Sequence, residues 1–318
     1  MMASVLERKL VVLTGKGGVG KTTVSAALGL LAADRGLRTI VVEVGEQRRL
    51  PELFGVGAGD GTQHAGSELE LRQNLWSISI DPDQALLEWL QALGGRVSGR
   101  VLASSGTFQY FAAAAPGAKE LVSMVKIWKL TEGERGARKH PGRYDLVILD
   151  APATGHALGM LHSPQTFGTI ARVGPIASQT EQVRKLLSDP ARSAYLAVAQ
   201  PTEMAVTEAL ELQAGLQRQL ERELHAVVVN GTLPRRFSAT EISQFDSLDG
   251  SDAAKPDSVT RSAVLAARSV HNRASFQHNQ VARLRRRHFE VLPIPFLFVA
   301  ELDLAAVEWI AEHLSKQL

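Results

Sequence analysis

The chain has 318 residues, with 35 Lys and Arg against 33 Asp and Glu, a balance that implies no global affinity for nucleic acid. It is long enough to bury a large core, and one α/β domain with an inserted subdomain suits that length better than two free domains. There is no cysteine, which excludes disulfides, thiolate metal sites, iron–sulfur clusters and thiol nucleophiles together.

The first element is Lys9-Leu10-Val11-Val12-Leu13, an apolar run with β-branched residues that predicts a buried parallel strand. Thr14-Gly15-Lys16-Gly17-Gly18-Val19-Gly20-Lys21-Thr22-Thr23 follows and satisfies G-x-x-x-x-G-K-[ST] from Gly15 to Thr22. Its glycines let backbone N–H groups turn inward and cradle phosphate oxygens without Cβ clashes. Lys21 is suited to neutralise the β- and γ-phosphates, and the Thr22 hydroxyl to complete the shell of a bridging Mg²⁺. Val24 to Arg35 is rich in Ala and Leu and reads as a helix closed by Gly36. Strand, turn and helix together put the phosphates at a helix N-terminus, where the dipole favours anions.

Further strand-like runs are Thr39–Val42, Leu75–Ile80, Leu146–Leu149, Tyr195–Val198, Ala226–Val229 and Phe289–Leu292. Several are apolar on both faces, as in a parallel sheet covered by helices. Between the last three, Leu210, Leu212, Leu216, Leu220 and Leu224 fall mostly at helical spacing. The order predicts a single doubly wound, mainly parallel α/β domain of the P-loop NTPase kind over residues 1–318. Two helical stretches, 82–138 and 156–190, are too long for simple crossovers and predict an inserted helical subdomain. Within it Leu121, Met124, Val125 and Trp128, with Leu158, Met160 and Leu161, make apolar stripes that either bury against each other or hold a client helix. Gly55–Glu68 reads as a loop and Asp246–Ser258 as a polar insertion. Arg283–His288 is a basic cluster at a helix C-terminus, where cations are favoured, and Leu302–Leu318 a final helix packed on the sheet. No apolar run reaches membrane-spanning length and the N-terminus has no signal-peptide core, so a cytoplasmic location is expected.

The second chemical motif is Asp150-Ala151-Pro152-Ala153-Thr154-Gly155-His156, after the strand at Leu146–Leu149. An aspartate at the C-terminal end of a buried strand beside a phosphate loop is placed to hold Mg²⁺, directly or through a water. Pro152 and Gly155 predict a turn that responds to the γ-phosphate.

GKGGVGKTT followed by DAPATGH resembles the arsenite-pump ATPase (ArsA-like) family, which includes the targeting ATPase for tail-anchored membrane proteins. Pro116-Gly117-Ala118-Lys119-Glu120 and Pro201-Thr202-Glu203-Met204 with Glu208 look like further shared segments, and V-E-V with a later L-F is similar to a bacterial subgroup found as paired paralogues. The resemblance implies ATP and Mg²⁺ as ligands, and backbone or side-chain contacts to the nucleotide from Gly15, Lys16, Gly17, Gly18, Val19, Gly20, Lys21, Thr22 and Thr23. It implies that Asn230 recognises adenine, that Pro293-Ile294-Pro295 packs on the base, and that Lys16 reaches the phosphates of a facing subunit, as an arginine finger does. A homodimer or a heterodimer with a paralogue is therefore expected, acting on a protein or membrane-protein client, without nucleic acid.

One departure matters. The family carries a water-positioning aspartate after its second strand, and in Val42-Glu43-Val44-Gly45-Glu46 that position falls on Gly45. Glu46 is the expected substitute, with Glu43 the alternative. The catalytic set is thus Lys16, Lys21, Glu46 and Asp150, and the metal set Thr22 and Asp150. Without thiolates, arsenite capture and a zinc-bridged dimer are both excluded. The expected function is an ATP-hydrolysing dimeric switch; the alternative, favoured by Gly45, is a nucleotide-binding regulatory or scaffold subunit with little turnover.

Overall fold

The computed structural model describes residues 5–45, 48–56, 66–93, 117–132, 144–170, 174–250 and 257–318. Eight strands form one sheet: β1 (Leu10–Gly15), β2 (Thr39–Val44), β3 (Leu69–Arg72), β4 (Leu75–Ile80), β5 (Leu146–Ala153), β6 (Ser193–Ala199), β7 (Ala226–Thr232) and β8 (Val291–Pro295). Their order is β3-β4-β2-β5-β1-β6-β7-β8, and every neighbouring pair is parallel except β3 with β4. All six residues of β1 and all seven of β6 are buried, which is why these strands read as unbroken apolar runs rather than alternating ones.

Two groups of helices flank the sheet. α1 (Lys21–Asp34) packs with α10 (Leu304–Ser315) and against β5 and β2, while α2 (Arg49–Leu53) is a single short turn beside it. A Cβ added to Gly29 in α1 would lie 2.8 Å from Val41 Cγ2 and 3.0 Å from Leu75 Cδ1. Only a glycine lets the helix axis come this close to the sheet. The other group contains α3 (Pro82–Leu93), α4 (Ala118–Glu132), α5 (Thr154–Ile170), α6 (Pro175–Ser188), α7 (Glu203–Leu220), α8 (Ala239–Gly250) and α9 (Ser258–Arg285). α7 lies on β6 and β1, and α9 on β7, β8 and α7.

α3, α4, α5 and α6 pack mainly on one another. Leu121, Met124, Val125, Met160 and Leu161 are buried there, and Trp128 and Leu158 are partly buried against the same core. Both apolar stripes therefore face the core, and Leu158 lies over Gly215 of α7, where an added Cβ would be 2.6 Å from its Cδ1. Residues 94–116, 133–138 and 171–173, which fall in the expected helical insertions, lie outside the described residues, as do 57–65 of the expected loop at 55–68.

The insertion expected over 246–258 is helical at both ends. α8 runs to Gly250, and α9 starts at Ser258 with Asp257 accepting a cap bond from Thr260 N at 2.7 Å, while 251–256 lie outside the described residues. The turn expected around Pro152 and Gly155 is also absent: β5 continues through Pro152 to Ala153, and Gly155 sits in the first turn of α5. Among the described residues no helix is long and apolar enough to cross a membrane.

Candidate functional site

β1 lies between β5 and β6 with its carboxyl end opening into a crevice, the usual ligand position in an open α/β sheet. The loop from Gly15 to Gly20 leaves β1 and enters α1 there. Its shape is fixed by the protein on two sides. Thr14 Oγ1 donates to Pro152 O on β5 at 2.9 Å. On the other side a side chain at Gly15 would collide with the backbone oxygen of Val198 on β6, and one at Gly20 with the Asn230 amide. A Cβ at Gly17 or Gly18 would meet nothing within 4 Å, so those two face open space.

Gly20 precedes α1 with φ 93° and no side chain caps the helix. The first-turn N–H groups thus stay available to an anion, backed by the helix dipole. Lys21 folds back over the loop, donating to Gly15 O at 3.2 Å and Lys16 O at 3.0 Å. Burial lowers its pKa, and the Asp150 carboxylate partly restores it.

Thr22 Oγ1 donates to Asp150 Oδ2 at 2.6 Å, and Ser25 Oγ to Asp150 Oδ1 at 3.4 Å. Burial raises the Asp150 pKa, and the Thr22 hydrogen bond and the Lys21 charge oppose it. A hydroxyl and a carboxylate paired beside a phosphate loop are a Mg²⁺-binding chemistry in which phosphate oxygens and water supply the remaining ligands. No cluster of three or more His, Cys, Asp or Glu able to hold a metal occurs among the described residues. The donor set therefore fits a metal carried in with a nucleotide rather than a resident one.

These groups line a cavity of about 570 Å³ bounded by Gly18, Lys21, Thr22, Glu43, Arg49 and Asp150 among others. Glu43, the alternative to Glu46, is a member of this lining. It is only 6% exposed, and it sits beside Asp150 in the β2–β5 register. Its carboxylate accepts from Arg49 N at 3.1 Å and Leu50 N at 3.5 Å. Burial pushes its pKa up to about 7, the Asp150 charge adds to the rise, and the two backbone donors oppose it. Gly45 has φ 122° and its carbonyl accepts from Ser79 Oγ at 2.6 Å. Glu46, the expected water-positioning residue, lies outside the described residues.

Lys16 does not join Lys21. Its ammonium contacts Met204 Sδ and lies 3.7 Å from Glu208 Oε1, both on α7 of the same chain. Asn230, near the carboxyl end of β7, donates from Nδ2 to Val19 O at 2.9 Å and so braces the loop. The structure thus brings Lys21, Thr22, Asp150 and the loop glycines to one cavity, and leaves Lys16 and Asn230 on its flanks. Arg49 was not anticipated, because a basic pair after a polar loop carries no spacing signal.

Comparison with known proteins agrees with this geometry. The family profile described as anion-transporting ATPase matches residues 8–173, about half the chain. The chain is 30% identical over 244 residues to ATPase BagA of Mycobacterium tuberculosis, covering 74% of this chain and 68% of that protein. It is 23% identical over 282 residues to ATPase GET3C of Arabidopsis thaliana, covering 74% and 70%. With ATPase ASNA1 homolog 1 of Paramecium tetraurelia it shares 31% over 157 residues, covering 49% of this chain and 44% of that one.

Proposed function

Because the chain belongs to the anion-transporting ATPase family, we propose that it binds ATP with Mg²⁺ at the loop Gly15–Thr23 and hydrolyses it as a dimer. The observation that carries this reading is the Thr22–Asp150 pair, 2.6 Å apart beneath an uncapped helix N-terminus. A hydroxyl and a carboxylate at that place are both oxygen donors suited to one side of a Mg²⁺ shell.

In this reading the N–H groups of the loop and of α1 hold the phosphates, and Lys21 leaves the carbonyls of Gly15 and Lys16 to face them. Mg²⁺, when bound, would supply Lewis-acid charge to offset the phosphate oxygens. Thr22 and Asp150 would hold it. Lys16 leaves Met204 and Glu208 and reaches the phosphates of a second subunit, where a cation offsets charge developing in the transition state. The Asn230 side-chain oxygen, opposite the amide nitrogen already used by Val19, accepts from the exocyclic amine of adenine, and Pro293–Pro295 pack on the ring.

Release of phosphate would free Asp150 and the start of α5, and α5 packs on α4, α6 and α7. Motion there is the route by which a hydrolysis cycle would act on a protein or membrane-protein client. A second reading is a regulatory subunit with little turnover, paired with a paralogue. It draws on Gly45, which offers no carboxylate, and on Glu43, whose carboxylate is already engaged by two backbone donors.

The test is ATP hydrolysis per subunit over a wide range of protein concentration, with Lys16→Ala alongside. Activity that rises with concentration and collapses in the variant supports the dimeric ATPase. Tight ATP binding with negligible turnover at every concentration supports the regulatory reading instead.

A further inference from the structure

Two cations of one chain face the same cavity. Lys21 borders it from α1 and Arg49 from the first position of α2. Arg49 is exposed, and its guanidinium forms no ion pair among the described residues, Glu52 in the same turn of α2 included. Its charge opposes the ammonium of Lys21 and favours the carboxylates of Asp150 and Glu43. Asp150 faces Lys21 as a counter-charge, whereas the Arg49 guanidinium has no ion-pair partner among the described residues, so an anion in the cavity would supply one.

The topology says which part of a nucleotide that anion is. Asn230 lies near the carboxyl end of β7, the phosphate loop follows β1, and Arg49 follows β2, in a sheet that runs β2-β5-β1-β6-β7. A nucleotide with its base near β7 and its phosphates across the loop runs on toward β5 and β2. Its last phosphate then faces Arg49, and its base does not. The position of Arg49 is also tied down, since the buried Glu43 carboxylate accepts from the backbone N–H groups of Arg49 and Leu50. The strand end that neighbours Asp150 therefore holds the base of the arginine.

We propose that Arg49 is a contact for the terminal phosphate, supplied by the same chain that holds the nucleotide, and that it selects the triphosphate over the diphosphate. The proposal rests on the nucleotide-binding reading above. Guanidinium pairs bidentately with phosphate oxygens, and a lysine at the same place keeps the charge but loses the fork.

The experiment is equilibrium binding by calorimetry of a non-hydrolysable ATP analogue and of ADP, each with Mg²⁺, to wild type, Arg49→Ala and Arg49→Lys. A charge-assisted contact predicts that Arg49→Ala loses about tenfold to a hundredfold in analogue affinity. ADP affinity should stay within about twofold, and Arg49→Lys should recover part of the loss. A thermal midpoint for each variant checks that it is folded. Equal weakening of both nucleotides would show that Arg49 only supports the site, and no weakening of either would show that it is bystander surface; both overturn the proposal. Failure of the wild-type protein to bind either nucleotide would overturn the nucleotide-binding reading and this proposal together, and is distinguishable from the other results.

Discussion

Glu43→Gln should stabilise the nucleotide-free protein, and only above a defined pH. The side chain is 6% exposed and its pKa rises from 4.5 to about 7, chiefly by burial. The folded protein thus holds a proton there that the unfolded chain releases between those values. Stability conferred by the protonated group is complete below pH 4.5 and is lost as pH rises through about 7. At about 1.4 kcal/mol per pKa unit the penalty at pH 8.5 comes to roughly 3 kcal/mol. That is a sizeable part of the roughly 5–15 kcal/mol typical of a folded protein. Glutamine keeps an acceptor for Arg49 N and carries no charge, so it escapes the penalty. The assay is chemical denaturation of both proteins from about pH 5 to pH 8.5, reading only the difference between them. That difference should be under about 1 kcal/mol at the acid end and approach about 3 kcal/mol in favour of Glu43→Gln at the alkaline end. Taking the difference removes the titration of Asp150 to first order, since Asp150 is common to both proteins. Parallel stability curves across the whole range would refute the reasoning, and would mean that Glu43 is charged or solvated alike in both states.

Gly15→Ala should fold poorly, losing at least about 3 kcal/mol as its methyl drives into the Val198 carbonyl. Gly17→Ala, which meets nothing within 4 Å, should melt within a few degrees of wild type and lose nucleotide affinity in a calorimetric titration. Tyr195→Phe removes the donor to Leu187 O, a 2.8 Å bond in the buried core, and should lower stability by about 1–3 kcal/mol in urea. Glu208→Gln releases the same-chain partner of Lys16, a part-exposed pair worth up to about 1 kcal/mol. Half-maximal hydrolysis should then be reached at up to about fivefold lower protein concentration, and an unchanged midpoint would rule out competition between the two positions of Lys16.

The sheet was largely legible in the sequence because a parallel strand buried on both faces writes itself as an apolar run. β1, β2, β4, β5, β6 and β7 all lie under such runs, and β8 is offset by a few residues toward Pro295. β3 escaped because it is a four-residue antiparallel edge with a single buried side chain, Leu71, between polar neighbours. α9 escaped for the opposite reason. It spans 28 residues but buries only Ala274, Val281 and Leu284, so no apolar stripe marks its course and only its arginine-rich end was noticed. At the site, Lys21, Thr22 and Asp150 were legible because the spacing of the loop and the strand end fix them. Glu43 was weighed only as a fallback to Glu46, since nothing in Val-Glu-Val states that the glutamate is buried beside an aspartate two strands' worth of sequence away. Arg49 gave no signal because its meaning depends on where α2 places it.

The phosphate loop has two authors. Gly15 and Gly20 are dictated by the protein's own atoms and Gly18 by its positive φ of 80°, while Gly17 answers only to whatever enters the open space beside it. A descendant of this chain that ceased to bind nucleotide would still be held to the first three by the need to fold, and would drift at Gly17. The outer frame of the motif would survive as a fossil. Recognition of the frame alone therefore identifies ancestry, and Gly17, which touches nothing and has no special backbone angle, is the glycine that reports continued use.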